Sequence, residues 1–319
     1  MKRLANEFSW SKSRDGKFRE CPRAYWFHYH GSWGGWAADA PERARTLYRL
    51  KNLRSRQMWA GDVVHRCIER ALTNVRRGIE PLSCDAAIDA TIQTMRDEWR
   101  RSRAGAVKEE LAEHVYGDAV PDAEWQANAD HVRACLWSFY ASGLWETLRK
   151  LPAERWLEIE TLASFALDGT KVYVKLDAAF RDDEGCVVIV DWKTGRAPDP
   201  DHSMQVATYV LYAAETWGAD PTRVETKLAQ LATGQTRSVR LSARALEAAV
   251  SRIRASIRDM QQLLASPERN EAREQGFPPV NAVRACRRCN FRRVCVAEGL
   301  VDVLTPADAG LSPSLDGSL

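Results

Sequence analysis

The chain has 319 residues, 45% of them hydrophobic and 28% charged, with a formal net charge of +3. That length suits one large domain or two modest ones, the apolar fraction can fill a core, and the overall charge points to no class of partner. No run of about 18 apolar residues occurs, which excludes a membrane-spanning helix.

The opening "MKRLANEFSW" has no apolar stretch of the secretory kind behind its charges, so a cytoplasmic location is expected. Eight cysteines in that setting read as reduced thiols or metal ligands rather than a disulfide framework. The charge is unevenly spread. Residues 1–60 carry 13 Lys/Arg against 5 Asp/Glu, and residues 284–293 carry five Arg and no acid. Local basic surfaces of this kind fit a polyanion partner.

In chain order, residues 1–56 form a basic, aromatic segment containing Cys21. Residues 57–150 read as helical. Val64, Cys67, Ile68, Ala71 and Leu72 recur at helical spacing over 57–77, and Gly78 and Pro81 close that helix. Further amphipathic helices are predicted over 85–101 and 122–149. After Pro152 the period changes. Residues 156–167 and 171–180 read as strands joined by the hairpin signal Asp168-Gly169-Thr170. Residues 186–192, "CVVIVDW", form an apolar run suited to a buried strand. A helix over 202–217, strands over 223–231 and 236–241 and a long helix over 243–266 complete an α/β core spanning 151–270. Residues 271–300 hold three cysteines. Residues 301–319, with Pro306, Gly310, Pro313 and Gly317, read as a flexible tail.

Two of the strands end in acids. Asp177 sits late in 171–180 and Asp191 ends 186–192, with Lys193 two residues on and therefore on the same side of an extended chain. Neighbouring antiparallel strands can bring the two carboxylates together. Two close carboxylates repel, so a divalent cation is the natural third party, and oxygen ligands suit Mg2+ or Mn2+. A lysine beside that ion can orient a water or offset charge on a phosphate. A lone Asp-x-Lys is usually a surface ion pair; one that ends a buried strand, beside a second strand ending in Asp, is more specific.

The stretch "KLDAAFRDDEGCVVIVDWKTG" resembles the core of the PD-(D/E)XK nuclease superfamily in its RecB-like branch. The resemblance implies a restriction-endonuclease-like fold, a mixed central sheet flanked by helices, here with a helical insert. It makes Asp177, Asp191 and Lys193 the catalytic set. It also assigns a metal-ligand histidine on an upstream helix, His65 after Gly61, and a Gln-x-x-x-Tyr pair on the helix after the lysine strand, Gln205 and Tyr209. His65, Asp177 and Asp191 would hold Mn2+ or Mg2+. One departure is Val174, where many relatives have glycine three residues before the first Asp.

Cys286, Cys289 and Cys295 give a C-x2-C-x5-C spacing that lacks a fourth ligand. Zn2+ and an iron–sulfur cluster both use four thiolates. Cys67, Cys84, Cys135 and Cys186 lie in helical or strand patterns and read as buried thiols, which leaves Cys21, in "FRECPRAYWF". One cysteine before the nuclease core and three after it resemble the iron–sulfur branch, which includes the CRISPR adaptation nucleases and the AddB helicase–nuclease subunit. That resemblance runs from about residue 8 to 296 and implies a 4Fe–4S cluster on Cys21, Cys286, Cys289 and Cys295, joining the N- and C-terminal segments.

The implied activity is a metal-dependent deoxyribonuclease, an exonuclease or single-strand-preferring enzyme, serving repair, recombination, CRISPR adaptation or phage defence. The alternative is a catalytically silent DNA-binding or scaffold subunit with a structural metal cluster. DNA is the expected partner, with Arg19, Arg23, Arg287, Arg288 and Arg292 near its phosphates. The aromatic run from Tyr25 to Trp36 reads either as a base-stacking platform or as an apolar shell for the cluster. The chain lacks G-x4-G-K-[ST], so any helicase would be a separate subunit.

Overall fold

The computed structural model describes residues 5–106, 110–195 and 202–310. In chain order the elements are strand β1 (Ser9–Trp10) and helices α1 (Lys12–Glu20), α2 (Pro22–Trp26), α3 (Glu42–Lys51), α4 (Arg56–Arg76), α5 (Cys84–Arg103), α6 (Ala112–Tyr116), α7 (Asp122–Tyr140) and α8 (Gly143–Leu148). Strands β2 (Trp156–Leu167), β3 (Thr170–Arg181) and β4 (Val187–Lys193) follow, then α9 (His202–Trp217), β5 (Glu225–Gln230), β6 (Gln235–Val239), α10 (Ala243–Gln262), α11 (Val283–Arg287) and α12 (Arg292–Ala297). None of the described helices is long and apolar enough to cross a membrane. The chain divides into two compact units. One comprises 1–55, 100–120 and 255–319, the other 56–99 and 121–254.

The second unit is α/β. β2 and β3 form an antiparallel hairpin whose register closes at Leu167 opposite Thr170. Asp168 and Gly169 between them have φ of 49° and 78°, the left-handed pair that a two-residue hairpin turn requires. The Asp182–Gly185 turn leads antiparallel into β4, the Asp182 carboxylate accepting from the backbone N–H groups of Glu184 and Cys186. β4 and β5 are parallel, so the chain must cross over between them, and α9 makes the crossover. β5 and β6 pair antiparallel. The sheet of this unit is therefore mixed, in the order β2–β3–β4–β5–β6.

β4 is buried on both faces, as its unbroken apolar run predicts. Trp192 projects to the face opposite Asp191 and meets Phe139 of α7 edge-on, ring centroids 5.3 Å apart. α4 buries Trp59, Ala60, Val63, Val64, Cys67, Ile68, Ala71 and Leu72, one apolar stripe at helical spacing. Gly61 lies near the end of β4: a Cβ there would come within 3.0 Å of Thr194 Oγ1.

At the far end of the sheet, Glu225 accepts from Lys227 Nζ and Ser238 Oγ at 2.7 Å each and from Arg240 Nη2 at 2.9 Å. Burial, the largest single influence, pushes its carboxyl up. The three donors together outweigh burial and hold the carboxyl at about 2, against an ordinary 4.5. The folded-state value is depressed, so this stabilisation is full above pH 4.5 and is lost as pH falls towards 2. Glu225→Gln should therefore lower stability by about 1 kcal/mol at pH 7, solvent screening included. Denaturant melts should show that gap closing as pH falls through the same window.

The first unit is mainly helical. Its apolar cluster includes Phe27, Leu47, Leu50, Leu53, Tyr116, Phe291 and Val294, which draws together the N-terminal helices, α6 and α12. Trp10 Nε1 donates to Ser256 Oγ at 2.9 Å, and Ser256 Oγ donates to the buried Asp15 carboxylate at 2.5 Å. The segment 301–310, expected to be a loose tail, is packed: Leu304 and Ala309 are buried, and the Arg293 guanidinium donates to the Ala309 and Gly310 carbonyls. The donor that ties it down lies on α12, which no local pattern in the tail could reveal. Pro313 and Gly317 lie outside the described residues.

Candidate functional site

Strand alternation and helix spacing bring six of the expected residues into one site in the α/β unit. Asp177 on β3 and Asp191 on β4 are both buried. The Trp192 backbone N–H donates to Asp177 Oδ2 at 2.7 Å, which ties the two strand ends together. Lys193 Nζ lies 2.8 Å from Asp191 Oδ2 and donates to Gln205 Oε1 at 3.1 Å. Gln205 and Tyr209, one turn apart on α9, both reach Asp191 Oδ1. Tyr209 OH donates at 3.0 Å and Gln205 Nε2 at 3.3 Å, and Gln205 Nε2 also donates to Tyr209 OH at 2.7 Å. Asp191 Oδ2 has the Lys193 charge beside it but no hydrogen bond of good direction, so a buried carboxylate oxygen is left with spare acceptor capacity. Burial first, then the Asp177 charge, raise the Asp191 carboxyl to about 6 despite Lys193.

His65 approaches from α4. Its Nδ1 lies 2.9 Å from Glu160 Oε1 and 3.5 Å from Asp177 Oδ1. Burial is the largest single influence and acts to lower its pKa. The hydrogen bonds and charges of Asp177 and Glu160 together outweigh burial and raise it to about 10. Without a metal ion the two carboxylates favour the protonated ring; a bound metal would take the proton's place at the coordinating nitrogen. One possible ligand atom from each of His65, Glu160 and Asp177 falls within 4.8 Å of the others. This donor set, one imidazole nitrogen and carboxylate oxygens, fits a divalent cation such as Mn2+ or Mg2+.

Glu160 was not among the expected site residues. Its outer oxygen pairs with Lys175 Nζ at 2.6 Å. Its φ of 48° is left-handed for a non-glycine residue within a strand, local strain of the kind that collects at functional sites. The signal that could have found it is the two-residue turn. Asp168-Gly169 fixes the hairpin register, and Ile159 opposite Ala178 with Thr161 opposite Leu176 place Glu160 across from Asp177. Val174, where relatives have glycine, is a buried strand residue.

The cysteines lie in the other unit. Cys21, Cys289 and Cys295 adjoin one apolar cluster. Burial, chiefly, then Cys289, Cys21 and Cys286 raise the Cys295 thiol far above its ordinary range, and Cys21 also bears on Cys289. Burial also pushes Cys289 up to about 11. Cys21 Sγ accepts from Ala24 N at 3.5 Å and Cys289 Sγ from Phe291 N at 3.4 Å. Backbone N–H groups aimed at sulfur are the contacts that tune iron–sulfur centres. Four thiols in one unit, two of them accepting such bonds, are a donor set that suits a thiolate-bound metal centre.

The arginines expected at DNA divide. Arg23 and Arg292 are buried and committed internally. Arg23 pairs with Glu274 at 2.7 Å and donates to the Phe277 carbonyl. Arg292 pairs with Asp118 at 2.5 Å and lies over the Tyr116 ring. A buried guanidinium requires a partner, and the acids that serve are distant in sequence. Neither side chain is disposed to meet a phosphate. Arg19 and Arg287 are exposed but also paired, with Asp15 at 2.8 Å and Asp308 at 3.3 Å; Arg288 is exposed. The aromatic run also divides. Tyr25 and Phe27 are buried in the core, whereas Trp33 and Trp36 are 38% and 45% exposed.

Residues 9–296 match the family model for the PD-(D/E)XK nuclease superfamily. No curated protein matches the chain. Among solved structures, one titled "Crystal structure of SSO0001" is 20% identical, covering 55% of this chain and 78% of that one, with a TM-score of 0.28, a likeness too loose to carry an argument.

Proposed function

Because the chain belongs to the PD-(D/E)XK nuclease superfamily, we propose that it hydrolyses DNA phosphodiester bonds with a divalent cation held by His65, Asp177 and Asp191, Glu160 assisting. The single observation that supports this best is the pairing of buried Asp177 with His65 and of Asp191 on the next strand with Lys193, one Asp191 oxygen keeping acceptor capacity to spare. The cation supplies polarisation of the scissile phosphate and a lowered pKa for the attacking water. Lys193 orients that water and offsets charge that builds on the phosphate. Tyr209 and Gln205 hold Asp191 in place, so that carboxylate and lysine keep one geometry through turnover. The intact set weighs against a silent binding subunit.

We further propose a 4Fe–4S cluster on Cys21, Cys286, Cys289 and Cys295, with a structural role in joining the first and last segments of the helical unit. Its support is the influence of Cys21, Cys286 and Cys289 on Cys295, the N–H donors on two of the thiols and the split spacing.

The activity is tested with purified protein and labelled DNA, single-stranded and duplex. Cleavage should require added Mn2+ or Mg2+ and stop with a chelator. It should also decline as pH falls through about 6, because a proton on Asp191 competes with the cation. Cleavage that persists in chelator would rule out this mechanism.

A further inference from the structure

Arg14 and Lys17 stand one turn apart on α1, and Lys51 closes α3. All three are half-buried. The Arg14 guanidinium lies over the Tyr29 ring, 4.2 Å from its centroid, and Tyr29 packs against His28 at 4.4 Å. Lys17, Lys51 and Arg14 all bear on His28, which burial first, and then these three charges, hold down to about 3. Lys51 itself is lowered, by burial first and then by Arg14. None of the three pairs with a carboxylate among the described residues, whereas Arg19, Arg23, Arg43 and Arg49 of the same unit all do. Like charges gathered at half-buried positions repel one another, and a bound polyanion would relieve that repulsion.

Aromatic rings continue the patch. Lys51 Nζ lies 4.9 Å from the Tyr48 centroid, Tyr48 meets Trp36 at 5.8 Å, and Trp36 meets Trp33 at 5.1 Å. The two tryptophans present large apolar area to solvent. Cations interleaved with exposed rings are the chemistry of a single strand, whose phosphates meet the charges while unpaired bases stack. A duplex hides the faces of its bases and gains nothing from the rings.

We propose that Arg14, Lys17 and Lys51 bind the phosphates of single-stranded DNA whose bases stack on Trp36 and Trp33. The identity of the polyanion rests on the nuclease reading above; the site itself rests on the uncompensated charge and the rings. Lys17 also bears on the Cys289 thiol, so part of its charge would offset thiolates there, and the test is made at Arg14 and Lys51.

The experiment is fluorescence anisotropy of a labelled oligothymidine and a matching duplex with the full chain in chelator, across a salt series. Arg14→Gln with Lys51→Gln should weaken single-strand binding about tenfold. It should also flatten the slope of log affinity against log salt by about 0.7 for each phosphate contact removed. Trp36→Ala should weaken single-strand binding about tenfold with the slope unchanged and duplex binding unaffected. Arg43→Gln, in the same unit but paired with Glu274 and Glu298, should bind as wild type does. Wild-type affinity and slope in the Arg14/Lys51 variant, or an equal loss in Arg43→Gln, overturns the proposal. Cleavage is scored separately with metal. Protein that shows these binding losses but does not cut fails the nuclease reading and leaves the site standing; protein that cuts while the variants bind normally does the reverse.

Discussion

Lys193→Ala should lower DNA cleavage by about 10²–10³-fold or more while leaving the fold intact, the scale seen when a preorganised charge at a transition state is removed. Among the described residues the ammonium contacts Asp191 at 2.8 Å and Gln205 at 3.1 Å, with 27% of the side chain exposed. Losing a partly exposed ion pair costs the fold about 1 kcal/mol or less, so thermal melts should barely move. Asp191 gives an independent readout. Its carboxyl already sits near 6 with Lys193 lowering it, and without that charge it must rise further. Residual activity of Lys193→Ala should therefore need a higher pH than the wild type, because the carboxylate form predominates only above that pKa. Asp191→Asn should be at least as damaging, since it removes the carboxylate itself. Normal cleavage by both variants would sink the assignment.

Cys21→Ser separates a cofactor ligand from an ordinary thiol with unusual clarity. Cys21 caps α2, its side chain accepting from Ala24 N. Serine is among the preferred residues at that position. In a protein without a cluster, Cys21→Ser should be neutral or slightly stabilising. If the four thiols hold a 4Fe–4S centre, the same change removes the ligand that links the N-terminal segment to Cys286, Cys289 and Cys295. Cross-links that close very long loops are worth about 5 kcal/mol on the loop-entropy scale. The expected result is a loss of several kcal/mol, with iron, sulfide and visible absorbance falling together. Cys67→Ser, at a buried thiol of the α/β unit, should keep full iron content. A colourless protein containing zinc, or a Cys21→Ser variant as stable as wild type, would remove the iron–sulfur reading.

Much of the α/β unit was legible because its signals are local. The Asp168-Gly169 turn, the alternation on either side and the apolar run of β4 placed three strands to within a residue or two. Asp191 and Lys193 share a face by strand period alone, and Gln205 and Tyr209 by helix period. The C-x2-C-x5-C spacing singled out, with Cys21, four cysteines that all fall in the helical unit. What the sequence could not supply are contacts between segments far apart in the chain. Glu160 is one of two glutamates on β2 until the hairpin register sets it opposite Asp177. Arg23 and Arg292 look like surface cations until Glu274 and Asp118 close on them. Arg14, Lys17 and Lys51 look like scattered charge until α1 and α3 bring them around His28. Residue types and periods determine which faces a segment buries and which chemistry it can offer. Which charges find partners, and which are left for a ligand, is decided only by tertiary packing, because burial and distance set the strength of every ionic contact.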